Sequence, residues 1–158
     1  MSIPRHGFIS YAHDDVDMFQ RFRAHLRATE RRFGIEFWAD PSIAAGHHWS
    51  DEIIRHIAAA DVFILLVSAE FIASNYIYTM EKPAIEARCT AVKGLILPVV
   101  LRRCARSLAA GALQAVPTDG GRLKPILDWH RRNDGYDCAR EQIEQAISHH
   151  YGVPAGSP

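Results

Sequence analysis

Short apolar runs alternate along the chain with segments in which apolar residues recur at helical spacing. The most apolar run, Asp61–Ser68, shows no polar alternation, which is typical of a central strand covered on both faces. Pro98 lacks an N–H group for a strand ladder, so we expect a bulge or a lateral position there. Strand-forming residues predict four further strands, at His6–Tyr11, Ile35–Ala39, Leu95–Leu101 and, as a short fifth strand, Lys124–Leu127.

The intervening segments predict helices, which begin where carboxylates or hydroxyls can accept the free N–H groups of a first turn. Asp14 and Asp15 are suited to cap the first helix, and Gly34 to end it. Pro83 interrupts the third helical region and predicts a break or a fresh start near Thr79–Lys82. Helical segments start after Asp15, at Ser50, near Ala69 and at Tyr136, and a further short helix is expected around Ser107–Ala115.

This alternation of strands and helices predicts an α/β, flavodoxin-like three-layer sandwich. We expect a parallel sheet of about five strands in the order 2-1-3-4-5, with helices on both faces. Ligands of such sheets bind beyond the carboxyl ends of the strands, which here are Ser10–His13, Trp38–Ser42 and Ser68. The length of 158 residues fits one domain, which we assign to residues 1–152, and residues 153–158 have the composition of a linker or a frayed end.

Composition and charge exclude several classes of protein. Hydrophobic residues at 48% and charged residues at 23% exclude a disordered chain. The net charge of zero argues against nucleic-acid binding by bulk positive charge and favours self-association. No apolar run has the ~18–20 residues of a membrane span, and the N-terminus lacks the apolar core of a signal peptide. The three cysteines are scattered and odd in number, which indicates a reducing cytoplasm.

Common catalytic and ligand-binding motifs are missing from the sequence. It has no glycine-rich phosphate loop, no G-x-S-x-G nucleophile motif and none of the His and Cys spacings of metal sites, so no metal is expected. A receiver-type phosphorylation switch would share the sheet and would use Asp14 and Asp15 in an acidic pocket. Such a switch also needs an aspartate after the third strand, where this chain has Ser68. Helix capping is therefore the favoured interpretation of the acidic pair.

Glu81 is the most informative carboxylate in the sequence. On a helix it lies four residues from both Ile77 and Ile85, at the edge of an apolar stripe, where a carboxylate loses hydration unless it is paired. The structural alternative to a functional role is a carboxylate bonded to a helix start or paired with Lys82 or Arg88.

Five segments in order along the chain give it a family resemblance. They are Phe8-Ile9-Ser10-Tyr11-Ala12-His13-Asp14-Asp15, the stretch from Phe37 to Trp49 with its Asp40, Ile43 and Gly46, the apolar run Ala60–Ser68, Ser74-Asn75-Tyr76-Ile77-Tyr78-Thr79-Met80-Glu81, and Leu97-Pro98-Val99-Val100-Leu101. Over roughly residues 6–150 the chain resembles a bacterial Toll/interleukin-1 receptor (TIR) domain of the NAD-cleaving type. Ile77 stands where many members have a tryptophan, with Tyr76 one position earlier.

The resemblance implies a flavodoxin-like fold and one of two activities. Many bacterial members cleave NAD+ at the nicotinamide–ribose bond, and the catalytic glutamate of those enzymes matches Glu81. NAD+ is then the substrate, and no cofactor is expected. The residues expected to contact it are Ser10, Tyr11, Asp40 and Ser42 as polar groups at the strand ends, and Phe8 and Trp38 as rings that stack on the ligand or, alternatively, pack in the core.

The resemblance also implies a role as an oligomerisation-activated effector of bacterial antiphage defence, in the cytoplasm. Self-association is expected through the loop at residues 41–48, and a fused sensor domain is expected to bind a cyclic nucleotide or another infection signal. No direct contact with nucleic acid or with a membrane is expected. Two alternatives stay open, a non-catalytic scaffold that works through TIR–TIR contacts and the receiver-type switch. Hydrolysis and cyclisation are both open as outcomes of NAD+ cleavage.

Overall fold

A parallel sheet with the strand order β2-β1-β3-β4 forms the centre of the protein, which confirms the flavodoxin-like α/β fold class. The computed structural model describes residues 3–40, 51–105, 111 and 113–154. The loop at 41–48, most of the helix expected around Ser107–Ala115 and residues 155–158 of the expected linker lie outside the described residues. The strands are β1 (His6–Ser10), β2 (Glu36–Trp38), β3 (Val62–Val67) and β4 (Leu95–Val100).

The sequence prediction for the central strand is confirmed, because all six residues of β3 are buried. β3 pairs in parallel with β1 on one side and with β4 on the other, and its register aligns Leu65 with Ser10. Every position of β3 can be apolar because helices cover both faces of the sheet and none of its side chains reaches water. This arrangement brings the carboxyl ends of β1 and β3 side by side.

The predicted fifth strand at Lys124–Leu127 is wrong. Pro125 interrupts this run, and Ile126–Asp128 forms a 3-10 turn instead. The neighbouring strands β5 (Thr118–Asp119) and β6 (Arg122–Leu123) form a separate two-stranded antiparallel hairpin. The fifth position in the central sheet holds one parallel bridge, in which the Val116 N–H donates to the Pro98 carbonyl at 2.9 Å. Pro98 thus lies in a strand at the side of the sheet. A lateral position is one of the two predicted alternatives, the other being a bulge.

Helices pack on both faces of the sheet, and successive residues of β1 point to opposite layers. Ile9 packs with one layer, whereas Phe8 packs with the other. The first layer holds α1 (Val16–Phe33) and α5 (Arg132–Tyr151), and the second holds α2 (Asp51–Ala59), α3 (Ala69–Ala73) and α4 (Lys82–Val92). None of the helices in the described part of the chain has the length and apolar character needed to cross a membrane.

Several helix boundaries follow the predicted signals, but α5 starts at Arg132, before the predicted start at Tyr136. Gly34 ends α1 with φ of 68°, a left-handed conformation that glycine adopts without a steric penalty. Near the predicted break before Pro83 the backbone stays helical, but it changes from a π-helical turn, Ile77–Glu81, to α4, which starts at Lys82. Proline has no N–H group to continue an α-helical ladder, but it fits the first turn of a new helix.

The Asp15 carboxylate joins the ends of three strands. It accepts a hydrogen bond from the Ser68 hydroxyl after β3 and forms an ion pair with Arg102 after β4. The prediction that Asp15 caps the first helix is wrong for its side chain, which makes no capping hydrogen bond although the residue occupies the N-cap position. A guanidinium is a stronger partner for a buried carboxylate than a backbone N–H, and Asp15 is only 1% exposed.

The outer edge of β2 is also occupied by a side chain. The N–H of Phe37 points away from β1 and donates to Oε2 of Glu30 at 2.9 Å. Glu30 belongs to α1, is 9% exposed and accepts a second hydrogen bond from Arg27 at 3.0 Å. The three-residue edge strand therefore has its outward donor bonded within the domain.

Candidate functional site

Glu81 lies fully buried at the end of the π-turn, against the carboxyl end of β1. Ser10 is the last residue of β1, and its hydroxyl donates to Oε1 of Glu81 at 2.8 Å. The second carboxylate oxygen, Oε2, accepts no hydrogen bond from the described residues. One oxygen is therefore held by the sheet, and the other can accept a hydrogen bond or face a positive charge.

The surroundings of Glu81 favour its protonated form. Burial raises the pKa of Glu81 from 4.5 to about 7, with a smaller contribution from the charge of Asp40, while the Ser10 hydrogen bond acts in the opposite direction. The two cations proposed as structural partners are engaged elsewhere. Lys82 pairs with Glu86 at 2.5 Å. Arg88 pairs with Asp61 at 3.0 Å and donates to the Ala60 carbonyl.

Two tyrosines and a second carboxylate interact electrostatically with the Glu81 carboxyl group. Asp40 follows β2 and is 6% exposed, and its backbone carbonyl accepts a long hydrogen bond of 3.5 Å from the Tyr11 hydroxyl. The Tyr11 ring stacks on Phe19 at 4.0 Å. Burial raises the pKa of Tyr11, and the charges of Asp40 and Glu81 add to that effect. Burial and then the charges of Glu81 and Asp40 raise the pKa of Tyr76.

The structure therefore brings together Glu81 and three of the six residues predicted to contact a ligand, Ser10, Tyr11 and Asp40. Ser42 lies outside the described residues. Sequence reasoning missed Tyr76 as a neighbour of Glu81, since residues five apart do not share a face of an α-helix. Residues five apart come to the same side only in a π-turn, and the apolar periodicity of the sequence does not indicate a π-turn.

The two aromatic residues lie in different surroundings. Phe8 is 1% exposed and packs between Trp38 and Phe63, with ring centroids at 5.6 and 6.4 Å, so the core-packing alternative describes its position. Trp38 stacks on His56 of α2 at 3.9 Å and lines a groove of about 360 Å³ with His6. One face of the Trp38 ring is thus covered by histidine, and stacking on a ligand stays a prediction for both rings.

A second groove, of about 810 Å³, lies in the other helix layer between the starts of α1 and α5. Its lining includes Arg21, Arg131 and Arg132, but none of the predicted site residues. The described residues include no group of three or more His, Cys, Asp or Glu side chains that could hold a metal ion. The site with a chemically unusual group is therefore the one around Glu81.

The chemistry of this site follows from the Glu81 carboxylate in its low-dielectric environment. Charge–charge interactions are strongest where water is excluded, so an ionised Glu81 would stabilise a positive charge formed nearby. Oε2 can also accept a hydrogen bond from a ligand hydroxyl. These properties fit a reaction in which positive charge develops on a polyhydroxylated group.

Comparison with known proteins gives two findings. A family model described as TIR domain matches residues 8–147. The "Uncharacterized protein y4lF" of Sinorhizobium fredii (strain NBRC 101917 / NGR234) is 38% identical over 140 residues. The aligned region covers 88% of this chain and 42% of that relative, so the chain spans less than half of the relative's length.

Proposed function

The chain belongs to the TIR domain family, and on this premise we propose that it is an NAD+ nucleosidase with Glu81 as its catalytic residue. The observation that carries the proposal is the fully buried Glu81 carboxylate, held at one oxygen by Ser10 and without a hydrogen bond from the described residues at the other. Structural carboxylates in this protein, such as Glu30 and Asp15, have both of their oxygens engaged by protein groups. Glu81 differs from them in this respect.

The proposed reaction breaks the bond between nicotinamide and the ribose of NAD+. The bonding electron pair leaves with the pyridine nitrogen, so nicotinamide departs neutral, and the positive charge passes to the ribose. The ionised Glu81 carboxylate stabilises this charge, as carboxylates do in glycosidases. Water then adds to the ribose and releases a proton, which gives ADP-ribose. An adenine nitrogen that adds in place of water gives a cyclic product.

The neighbouring polar groups have supporting roles in this proposal. Ser10 fixes the orientation of Glu81 through the 2.8 Å hydrogen bond. Tyr11, Asp40 and Ser42 supply polar contacts to the substrate at the carboxyl ends of the strands, where ligands of parallel sheets bind. Nicotinamide is a good leaving group in NAD+, so one carboxylate suffices and no general acid is required.

We further propose that the domain is the effector part of a bacterial antiphage defence protein that acts when several copies assemble. The net charge of zero supports this because self-repulsion between copies is small. The proposed contact is the loop at residues 41–48 with the site of the next copy. A fused sensor domain that binds a cyclic nucleotide or another infection signal would concentrate the TIR domains, and tethering would lower the entropic cost of their association.

The decisive experiment compares Glu81→Gln with Glu86→Gln in an assay that detects nicotinamide released from NAD+. Glu86 is a matched control, because it lies five residues further along, is exposed and pairs with Lys82. Loss of the Glu81 charge should lower kcat by about 10²–10³-fold, whereas Glu86→Gln should retain activity. Glu81→Gln activity near that of the unmodified protein would refute the assignment. A protein that releases no nicotinamide at any concentration would favour the non-catalytic scaffold.

A further inference from the structure

The π-turn at Ile77–Glu81 determines which side chains share a face with Glu81. Within this turn the N–H of Lys82 donates to the Ile77 carbonyl, five residues earlier. Residues three or four apart share a face in an α-helix, but closure over five residues brings side chains five apart to the same side. Tyr76 is five residues before Glu81. The turn therefore directs Tyr76 toward the side on which Glu81 lies.

The Tyr76 hydroxyl is buried, and the charges of the site's two carboxylates act on it. Its oxygen is buried, while the ring is half-buried and packs against the apolar cluster beneath α2, α3 and α4. The charges that act on this phenol are those of Glu81 and Asp40, which add to burial in raising its pKa. The phenol therefore stays protonated over the physiological pH range and retains an O–H donor.

We propose that Tyr76 is a positioning residue for Glu81, and that its hydroxyl donates to Oε2 of Glu81 when that carboxyl group ionises. The proposal rests on the proposed function only for its consequence in catalysis. A hydrogen bond to the charged form of a carboxylate favours ionisation, so Tyr76 opposes the effect of burial. Ser10 at Oε1 and Tyr76 at Oε2 then act together, one from the sheet and one from the helical layer. Asp40 is a further titratable group whose charge acts on Glu81, and the charge of Glu81 acts in turn on Tyr11.

Tyr76→Phe tests the proposal, with Tyr78→Phe as its matched control. Both variants keep the ring and remove one hydroxyl from the same turn, but Tyr78 lies beneath the ammonium group of Lys82, 5.5 Å from its ring centre. The measurement is a titration of the ¹³C-labelled Glu81 carboxyl by NMR, with the signal assigned by its loss in Glu81→Gln. This readout needs neither substrate nor activity, so a failure of the proposed function would not affect it.

Tyr76→Phe should raise the pKa of Glu81 by about one unit, which is a tenfold loss of the ionised form below neutral pH. Tyr78→Phe should leave the titration unchanged. In the NAD+ assay the acid side of the pH–kcat profile should move to higher pH in Tyr76→Phe, with activity recovering near pH 9. An unchanged Glu81 titration in Tyr76→Phe, or an equal rise in both variants, would overturn the proposal.

Discussion

Glu81 should impose a stability cost on the fold that increases with pH. Its pKa is raised by burial from 4.5 to about 7 in the folded chain, and it returns to its ordinary value on unfolding. Between these two values the folded state binds more protons than the unfolded state, so stability falls as the pH rises through this window. The pKa difference of about 2.5 corresponds to about 3 kcal/mol once the pH is above both values. Between pH 5 and pH 8 the expected loss is about 2–3 kcal/mol.

The assay is urea unfolding of the unmodified protein and of Glu81→Gln at several pH values from 5 to 8. Other titrating groups, including the nine histidines, are common to both proteins and cancel in the difference between them. Glutamine also adds a constant cost for its buried amide, which does not change with pH. The advantage of Glu81→Gln over the unmodified protein should therefore grow by about 2–3 kcal/mol from pH 5 to pH 8. In thermal unfolding this corresponds to about 5–10 °C.

The exposed Glu86 provides the control, because its side chain is 54% accessible and Glu86→Gln should show no such trend. A difference between Glu81→Gln and the unmodified protein that stays constant from pH 5 to pH 8 would refute the reasoning. It would mean that the carboxyl group of Glu81 is solvated in the folded protein.

Two further predictions concern assembly and packing. Specific NAD+-cleaving activity should rise steeply with protein concentration, and a flat dependence from protein that stays monomeric by light scattering would contradict activation by assembly. Gly94→Ala should destabilise the fold by about 1–3 kcal/mol in urea unfolding, since its Cβ would lie 2.4 Å from the Asp61 carbonyl oxygen. The control is Gly34→Ala, where the space is open but φ is 68°, and this change should lower the free energy of unfolding by about 1 kcal/mol. A smaller loss of stability for Gly94→Ala than for Gly34→Ala would contradict the predicted clash.

Much of the fold follows from local patterns that the sequence displays directly. The apolar run of β3 is unbroken because the strand is covered on both sides, and Gly34 ends α1 where a left-handed residue is required. Pro83 marks the start of α4 because it removes an N–H donor. Glu81 stood out as a carboxylate beside Ile77 and Ile85, and both of these residues are buried.

Other features depend on contacts between distant parts of the chain, which periodicity does not report. The Asp15 side chain makes no capping hydrogen bond because Ser68 and Arg102, which follow other strands, engage its carboxylate. Apolar periodicity does not distinguish a hydrogen bond over four residues from one over five, so it does not predict the π-turn that ends at Glu81, beside Ser10. Tyr76 lies one position before the site at which many TIR domains have an aromatic residue. Only the π-turn directs it toward the side of the helix on which Glu81 lies.

The bond between Phe37 and Glu30 has a consequence for how copies of this domain can join. An exposed strand edge is a template for sheet extension from one molecule into the next, which leads to aggregation. A strand added at β2 would have to displace Glu30 from the Phe37 N–H and leave a carboxylate that is 9% exposed without that donor. Growth of a continuous intermolecular sheet through β2 is therefore disfavoured.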